Sequence, residues 1–321
     1  MSYSTINKAI EVFQYAAIHG QQKAKKVLEI SDETFNRYMR AVKDEKGWTL
    51  PLRSSWLEQI GENFSDIELQ AIAKGGRLIP GTGKVPIVSF EGRRVRFGAM
   101  TDLHIGHKRS SRQRIEQAFD EFKREGVEFV VIAGDITEGM SHRPGHIYEL
   151  DHIGYDAQKT EAIDIFAQYP EVPIYAIDGN HDRWYLKSNG ALIVKDIADS
   201  IDNFQFLGHD EGDISLNGKV TIKLWHGEDG NSYALSYRLQ KIIESLSGGE
   251  KPNILIAGHV HKYVNIFERN VWAVSAGCIQ AQTSWMRGKR LAAHPGFCVA
   301  DVWITKNGVS KFTHTWYPFY A

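Results

Sequence analysis

An apolar run, Asn253-Ile254-Leu255-Ile256-Ala257, stops at Gly258-His259-Val260-His261. Side chains on an extended segment alternate with a period of two, so His259 and His261 are aimed to one side, beyond the C-terminal end of the strand. A lone His-x-His is weak evidence, because surface and core histidines produce it often. This chain repeats the arrangement. Apolar stretches also end at Thr101-Asp102-Leu103-His104, at Ala133-Gly134-Asp135, at Asp178-Gly179-Asn180-His181-Asp182 and at Trp225-His226-Gly227. In open α/β architecture, sites form beyond the C-terminal ends of strands. Five such ends carrying carboxylate, amide or imidazole groups demand a fold that gathers them in one place.

The rest of the pattern from Arg93 onward supplies that fold. Strands are predicted at Val95–Met100, Val127–Ala133, Val172–Ile177 and Ile254–Ala257, alternating with helices over Arg112–Glu125, Tyr155–Gln168, Leu192–Ile201 and Tyr233–Leu246. The run Val127–Ala133 is almost continuously apolar, as a strand buried on both faces should be. Asn217-Gly218 between Asp213–Leu216 and Lys219–Trp225 is a two-residue hairpin signal, and the chain from Tyr263 to Trp316 is β-rich. Parallel units followed by hairpins predict an α/β fold, a two-sheet β-sandwich flanked by helices, over residues 91–321.

Residues 1–46 read as a small all-α domain. Ile6, Ile10, Phe13 and Ala17 recur at helical spacing up to Gly20, Lys23–Leu28 is a short second helix, and Ser31 caps a third. Asp32 and Glu33 lie in that helix's first turn, where the dipole favours acids. Phe35, Tyr38, Met39 and Val42 form its apolar face; Asn36, Arg37, Arg40 and Lys43 lie on the other. This is a helix-turn-helix-like pattern, and the polar face is a candidate DNA-binding surface. A structural or dimerising bundle gives the same pattern. Eight Lys or Arg against six Asp or Glu in these residues make the local charge modest, so useful DNA affinity would need a homodimer or help from the larger domain. Residues 47–90 read as a linker with one short helix: Ser65-Asp66-Ile67-Glu68 is a capping box and Gly75-Gly76 ends the helix.

Composition narrows the chemistry. The net charge of −1 gives no whole-molecule attraction for a polyanion, so a nucleic-acid partner needs a local patch. Two cysteines, Cys278 and Cys298, make neither a disulfide framework nor a thiolate site and are expected to be buried apolar residues. No apolar run approaches a membrane span of roughly 18 residues, and Met1-Ser2-Tyr3-Ser4 does not open a signal peptide, so a cytoplasmic protein with no membrane partner is expected. Carboxylate, imidazole and amide donors without thiolate favour Mn²⁺, Fe or Zn²⁺ over a soft metal. The residue types suit a centre of two divalent metal ions with one shared carboxylate, and Asp135, preceded by glycine, is the natural bridge. Such a pair lowers the pKa of water and clamps phosphoryl oxygens.

With those residues in view, the chain resembles the calcineurin-like metallophosphoesterases, whose motifs D-x-H, G-D-x-x-[DE], G-N-H-[DE], H and G-H-x-H stand here in order. They are Asp102-Leu103-His104, Gly134-Asp135-Ile136-Thr137-Glu138, Gly179-Asn180-His181-Asp182, His226 and Gly258-His259-Val260-His261. The resemblance implies a phosphoesterase in which Asp102, His104 and His261 hold one metal, Asn180, His226 and His259 the other, and Asp135 bridges them. Mn²⁺ leads, with Fe, Zn²⁺, Ni²⁺ and Co²⁺ as alternatives. It further implies that His181 stabilises the phosphate or protonates the leaving oxygen, with Asp182 orienting it. His107, Arg109, His142, Arg143 and Arg183 are candidate substrate contacts, as are Lys108, His146 and Trp184; loop or core positions explain them equally well. Asp102-Leu103-His104-Ile105-Gly106 is similar to the start of the repair-nuclease branch, which points to DNA as substrate. The alternatives are a phosphatase or a small-molecule or cyclic-nucleotide phosphodiesterase, and a non-catalytic DNA-binding regulator. His209, His294 and His314 have no partner legible in the sequence.

Overall fold

A computed structural model describes residues 3–19, 21–48, 85–228, 230, 234–247 and 249–320. The chain divides into two units, Met1–Gln70 and Ala71–Ala321. Gly20, the 65–68 capping box and Gly75-Gly76 lie outside the described residues.

In the first unit, α1 (Tyr3–His19), α2 (Gln21–Val27) and α3 (Asp32–Lys46) share one apolar cluster. Ala9, Val12 and Ala16 supply the buried face of α1, while Ile6, Ile10 and Phe13 are only partly buried around it. Small residues pack at the seam because helix backbones approach closely there. Ser31 Oγ accepts from the Thr34 N–H (3.2 Å), and Gly47, at φ 70°, closes α3 by donating to Lys43 O. Phe35, Tyr38 and Val42 are buried; Asn36, Arg37, Arg40 and Lys43 are exposed, so α3 is split between an apolar and a polar face.

The second unit is an α/β sandwich of two six-stranded mixed sheets. One sheet runs β12 (Gly308–Pro318), β11 (Gly296–Thr305), β2 (Arg94–Met100), β3 (Phe129–Ala133), β4 (Ile174–Asp178), β5 (Phe204–His209), with β2 to β5 parallel. The other runs β1 (Ile87–Val88), β6 (Glu211–Leu216), β7 (Val220–Trp225), β8 (Ile254–Ala257), β10 (Val271–Ala276), β9 (Tyr263–Glu268). The period of two is visible in the packing. Val95, Phe97 and Ala99 of β2 and Phe129, Val131 and Ala133 of β3 face the layer between the sheets, against Ile222, Leu224, Ile254 and Ile256. Val130 and Ile132 face outward onto α4 (Arg112–Glu125), α5 (Tyr155–Phe166) and α7 (Ile193–Ala198). Each such large side chain removed from water contributes about 1.5–3 kcal/mol. The opposite sheet is covered by α8 (Tyr237–Ser245), through Leu239, Ile242 and Ile243.

Five differences from the sequence reading have local causes. Strand β1 falls inside the stretch read as linker; it has two residues, pairs parallel with β6, and is too short for a periodicity. Strand β5, the helix α6 (Arg183–Asn189) and the helix α9 (Ser284–Gly288) escape the sequence patterns for similar brevity or for lack of apolar alternation. The β6–β7 loop has three residues rather than two, since Leu216 pairs with Val220, although Asn217 and Gly218 adopt the expected left-handed conformation. The Asn217 side chain is used elsewhere, bonding the backbone N–H and C=O of Phe90. Both cysteines are buried and free. Among the described residues no helix is long and apolar enough to cross a membrane.

Candidate metal centre

The ends of β2, β3, β4, β7 and β8 bring the motif residues together. The loops after β2 and β3 are stitched by backbone bonds, Asp102 N–H to Gly134 O (3.1 Å) and His104 N–H to Asp135 O (3.0 Å). Asp102, His104, Asp135, His259 and His261 all have φ between 49° and 80°. A left-handed non-glycine residue costs on the order of 1–3 kcal/mol, so the surrounding packing holds these five against their own preference. Gly134 (φ 87°) lets the loops close: a Cβ there would lie 2.3 Å from His226 Nδ1. At Gly258 a Cβ would lie 2.1 Å from Thr101 Oγ.

The resulting distances are short. His261 Nε2 lies 3.1 Å from Asp102 Oδ1 and 3.1 Å from His104 Nε2, and His104 Nε2 lies 3.7 Å from Asp135 Oδ2. His226 Nε2 is 3.1 Å from Asp135 Oδ2 and 3.3 Å from Asn180 Oδ1, while His259 Nδ1 is 2.9 Å from Asn180 Oδ1. Asp102, His104 and His261 form one group with donor atoms within 4.8 Å of one another, and Asp135, His226 and His259 form another. Asp135 also groups with His104 and His181, so it stands between the two sets.

Partners outside these groups fix the rings. His226 Nδ1 lies 2.7 Å from Ala133 O, a pure acceptor, so Nδ1 carries a hydrogen and Nε2 is turned inward. His104 Nδ1 does the same toward Glu138 Oε2 at 2.8 Å. Thr101 Oγ–H reaches Asp102 Oδ2 (2.7 Å), and the His259 N–H donates to the same carboxylate. Arg238, buried on α8, donates to Gly258 O (2.7 Å) and His226 O (2.5 Å), pinning two of the loops. The Nε2 atoms of His104 and His261, 3.1 Å apart and beside buried carboxylates, make an arrangement that suits a cation: the donor set fits hard-to-borderline metal ions.

The electrostatics agree. Burial alone would raise the Asp102 carboxyl, but the His261 imidazole and hydrogen bonds from His104 and His261 hold it well below its ordinary range. Burial likewise opposes ionisation of Glu138, and is outweighed by His181, His104 and His146. Burial lowers and Asp135 raises the His226 imidazole, with a net rise to about 9. His259 is pushed down to about 4, first by burial and then by His226.

A model of the calcineurin-like phosphoesterase superfamily domain matches residues 95–302. The chain belongs to the calcineurin-like phosphoesterase superfamily. Within curated proteins, the chain is 25% identical over 239 residues to the DNA polymerase II small subunit of Methanothermobacter thermautotrophicus, covering 59% of this chain and 48% of that protein. It is 25% identical over 244 residues to the protein of the same description from Archaeoglobus fulgidus, covering 61% and 49%. The chain thus spans about half the length of the curated relatives it matches. Among solved structures it is similar to one described as a novel archaeal phosphodiesterase, at 16% identity and TM-score 0.42, covering 70% of this chain and 100% of that one. A phosphoesterase from E. coli matches at 14% identity and TM-score 0.41, over 68% and 98%.

The donor cluster opens into a cavity of about 470 Å³, lined among others by His104, Asp135, Asn180, His181, His259 and His261. His181 donates its backbone N–H to Asp135 Oδ1 (2.9 Å), and its Nδ1 lies 3.0 Å from Glu138 O and 3.5 Å from Glu138 Oε1. The Trp184 ring packs on it, centroids 3.9 Å apart. Asp182 does not touch that imidazole. Its carboxylate accepts from the backbone N–H groups of Ile136, Thr137 and Gly179 and from Thr137 Oγ, tying the second motif to the third. Burial, then the neighbouring Asp135 charge, push it up to about 7. The orienting role expected of Asp182 is therefore occupied by Glu138, because the acid of the third motif is spent on backbone donors.

The candidate substrate contacts separate. His107 and Arg143 line the cavity, with Arg143 held by Glu149 at 2.6 Å. Arg109 and His142 are exposed and do not line it. Arg183 turns away from the cavity, into Asp210, Glu228 (3.0 Å) and Asp178 (3.9 Å), because these three carboxylates outside the cavity attract its charge. His146 is buried against Glu138 Oε1 (2.8 Å) and Trp184. Glu138, Gln280 and Arg238 were not assigned roles from the sequence. Only Glu138 had a signal there, as the closing acid of its motif. The three unplaced histidines do have partners: His209 with Asp178 (2.5 Å), His314 with Tyr263 Oη (2.8 Å), and His294 Nδ1, which accepts from the Tyr263 N–H (3.0 Å).

Proposed function

We propose that the protein hydrolyses phosphodiester bonds, with DNA as its substrate, using two divalent cations, Mn²⁺ foremost. Asp102, His104 and His261 would hold one cation, Asn180, His226 and His259 the other, and Asp135 both. The observation that carries the reading is Asp135, whose carboxylate stands between two buried groups of donors. Bound there, such ions would supply Lewis acidity and a more acidic water.

The chain's own residues contribute the rest. His181 keeps its Nδ1 on Glu138 O, which leaves Nε2 as the ring nitrogen through which a proton would pass to the leaving oxygen. The Glu138 carboxylate lies 3.5 Å from the same Nδ1, and Trp184 packs on the ring and fixes its plane. Asp182 keeps the loops of the second and third motifs in register. His107 and Arg143 provide positive or hydrogen-bonding groups for a phosphate further along the substrate.

DNA is favoured over a small substrate by two observations. The curated relatives are described as small subunits of a DNA polymerase. The α3 face with Asn36, Arg37, Arg40 and Lys43 is exposed, and in this reading residues 1–46 deliver duplex to the catalytic domain of residues 91–321 across the segment 47–90. The test is a substrate panel with Mn²⁺: linear and circular DNA, RNA, cyclic nucleotides, and a chromogenic phosphodiester beside its monoester. Turnover of DNA and of the diester, abolished by a chelator, is expected. Preference for the monoester, or for cyclic nucleotides over DNA, contradicts the reading.

A further inference from the structure

The cavity beside the donor cluster has two kinds of wall. Ser141, Arg143 and Glu149 make one polar; Val260, Trp285, Met286 and Leu291 make another apolar. The apolar wall is a built feature. Thr283 Oγ accepts from the Met286 N–H (3.1 Å) and caps α9, and the Leu291 N–H folds back onto Met286 O (2.9 Å). Met286 is thereby buried, while Trp285 stays 49% exposed and still lines the cavity. Among the described residues, none of the four apolar clusters includes Trp285, Met286 or Leu291. The Trp285 indole is half open to water and lines the cavity beside the donor cluster, so an aromatic ring is available to whatever enters.

We propose that this wall is a nucleobase subsite, with Trp285 as the stacking platform for the base attached to the phosphate at the cluster. The inference rests on the phosphodiesterase reading and names the part of the substrate recognised. Aromatic faces stack any base and are tolerant of sequence, which suits a site that reads DNA without choosing among bases. A phosphorylated tyrosine would also join a phosphate to a ring. The volume of about 470 Å³, within the roughly 300–1,000 Å³ of small-ligand sites, exceeds what one phenyl ring fills. Ser141 and Gln280 add polar groups suited to a sugar or base edge.

The test is equilibrium binding by titration calorimetry to the full chain in Mn²⁺, with thymidine 5′-monophosphate, inorganic phosphate and O-phosphotyrosine as probes. The wild type should bind the nucleotide about tenfold more tightly than phosphate, the size of one base–aromatic stack. Trp285→Ala should bring that ratio near one and Trp285→Phe should keep most of it; the exposure of Trp285 makes both variants compatible with folding. A ratio near one in the wild type, a ratio unchanged in Trp285→Ala, or an equal gain for O-phosphotyrosine overturns the subsite. Wild-type hydrolysis of methyl p-nitrophenyl phosphate, which has no base, is followed separately. Its absence removes the phosphodiesterase reading, while the binding ratio decides the subsite independently.

Discussion

At the scale of single residues, two roles are distinguished by hydrogen bonds. The imidazoles of His104 and His226 each give one ring nitrogen to a fixed acceptor and turn the other inward. His181 gives its Nδ1 to Glu138 O and stands at the cavity surface, 23% exposed. We therefore expect His181→Ala to retain about two cations per chain by elemental analysis while phosphodiester turnover falls ~10²–10⁴-fold, the usual worth of proton transfer by a positioned side chain. Metal lost in proportion to turnover would make His181 a ligand. The residues that hold the inward nitrogens were only partly legible. Glu138 closes a recognisable motif, but nothing in the sequence says that its carboxylate spans His104 and His146. Asp182 and Arg183 are adjacent in sequence to His181, yet both are turned elsewhere by partners 27 to 46 residues away.

At the scale of elements, the strands put the donor residues in place and the loops hold them under strain. The five left-handed donor residues, with φ from 49° to 80°, need continuous support. Arg238 of α8 gives some of it, by binding the carbonyls of Gly258 and His226 from a buried position. Arg238→Met should cost about 1.5–3 kcal/mol in denaturant unfolding, the worth of hydrogen bonds to a charged group, and should weaken cation binding by calorimetry. Stability and affinity both equal to wild type would mean the loops are held without it. The strands that carry motifs were legible because an apolar run and a terminal glycine coincide, as in Val127–Ala133 before Gly134. Strand β1 and helix α9 have two and five residues, too few for any period, and Arg238 lies on a helix whose sequence shows only an apolar face.

At the scale of the whole molecule, the −1 net charge means that the proposed binding of DNA needs a local surface. The polar face of α3 was legible as the complement of its apolar face, and the structure exposes all four of its residues. Replacing Arg37 and Arg40 together by alanine should weaken duplex binding in a mobility shift. It should also make the dependence of log affinity on log salt shallower, by up to about 0.9 for each phosphate no longer neutralised. An unchanged slope would assign the helical unit a structural or dimerising part.

The central claim is that one carboxylate serves two cations. Asp135→Asn keeps the volume and removes the charge, and it is compared with wild type after stripping by a chelator and return of Mn²⁺. Elemental analysis is read beside turnover of a chromogenic phosphodiester. We predict about two cations per wild-type chain with turnover restored, and loss of both cations and of turnover in the variant. A variant that keeps two cations, or that turns over at the wild-type rate, contradicts the account.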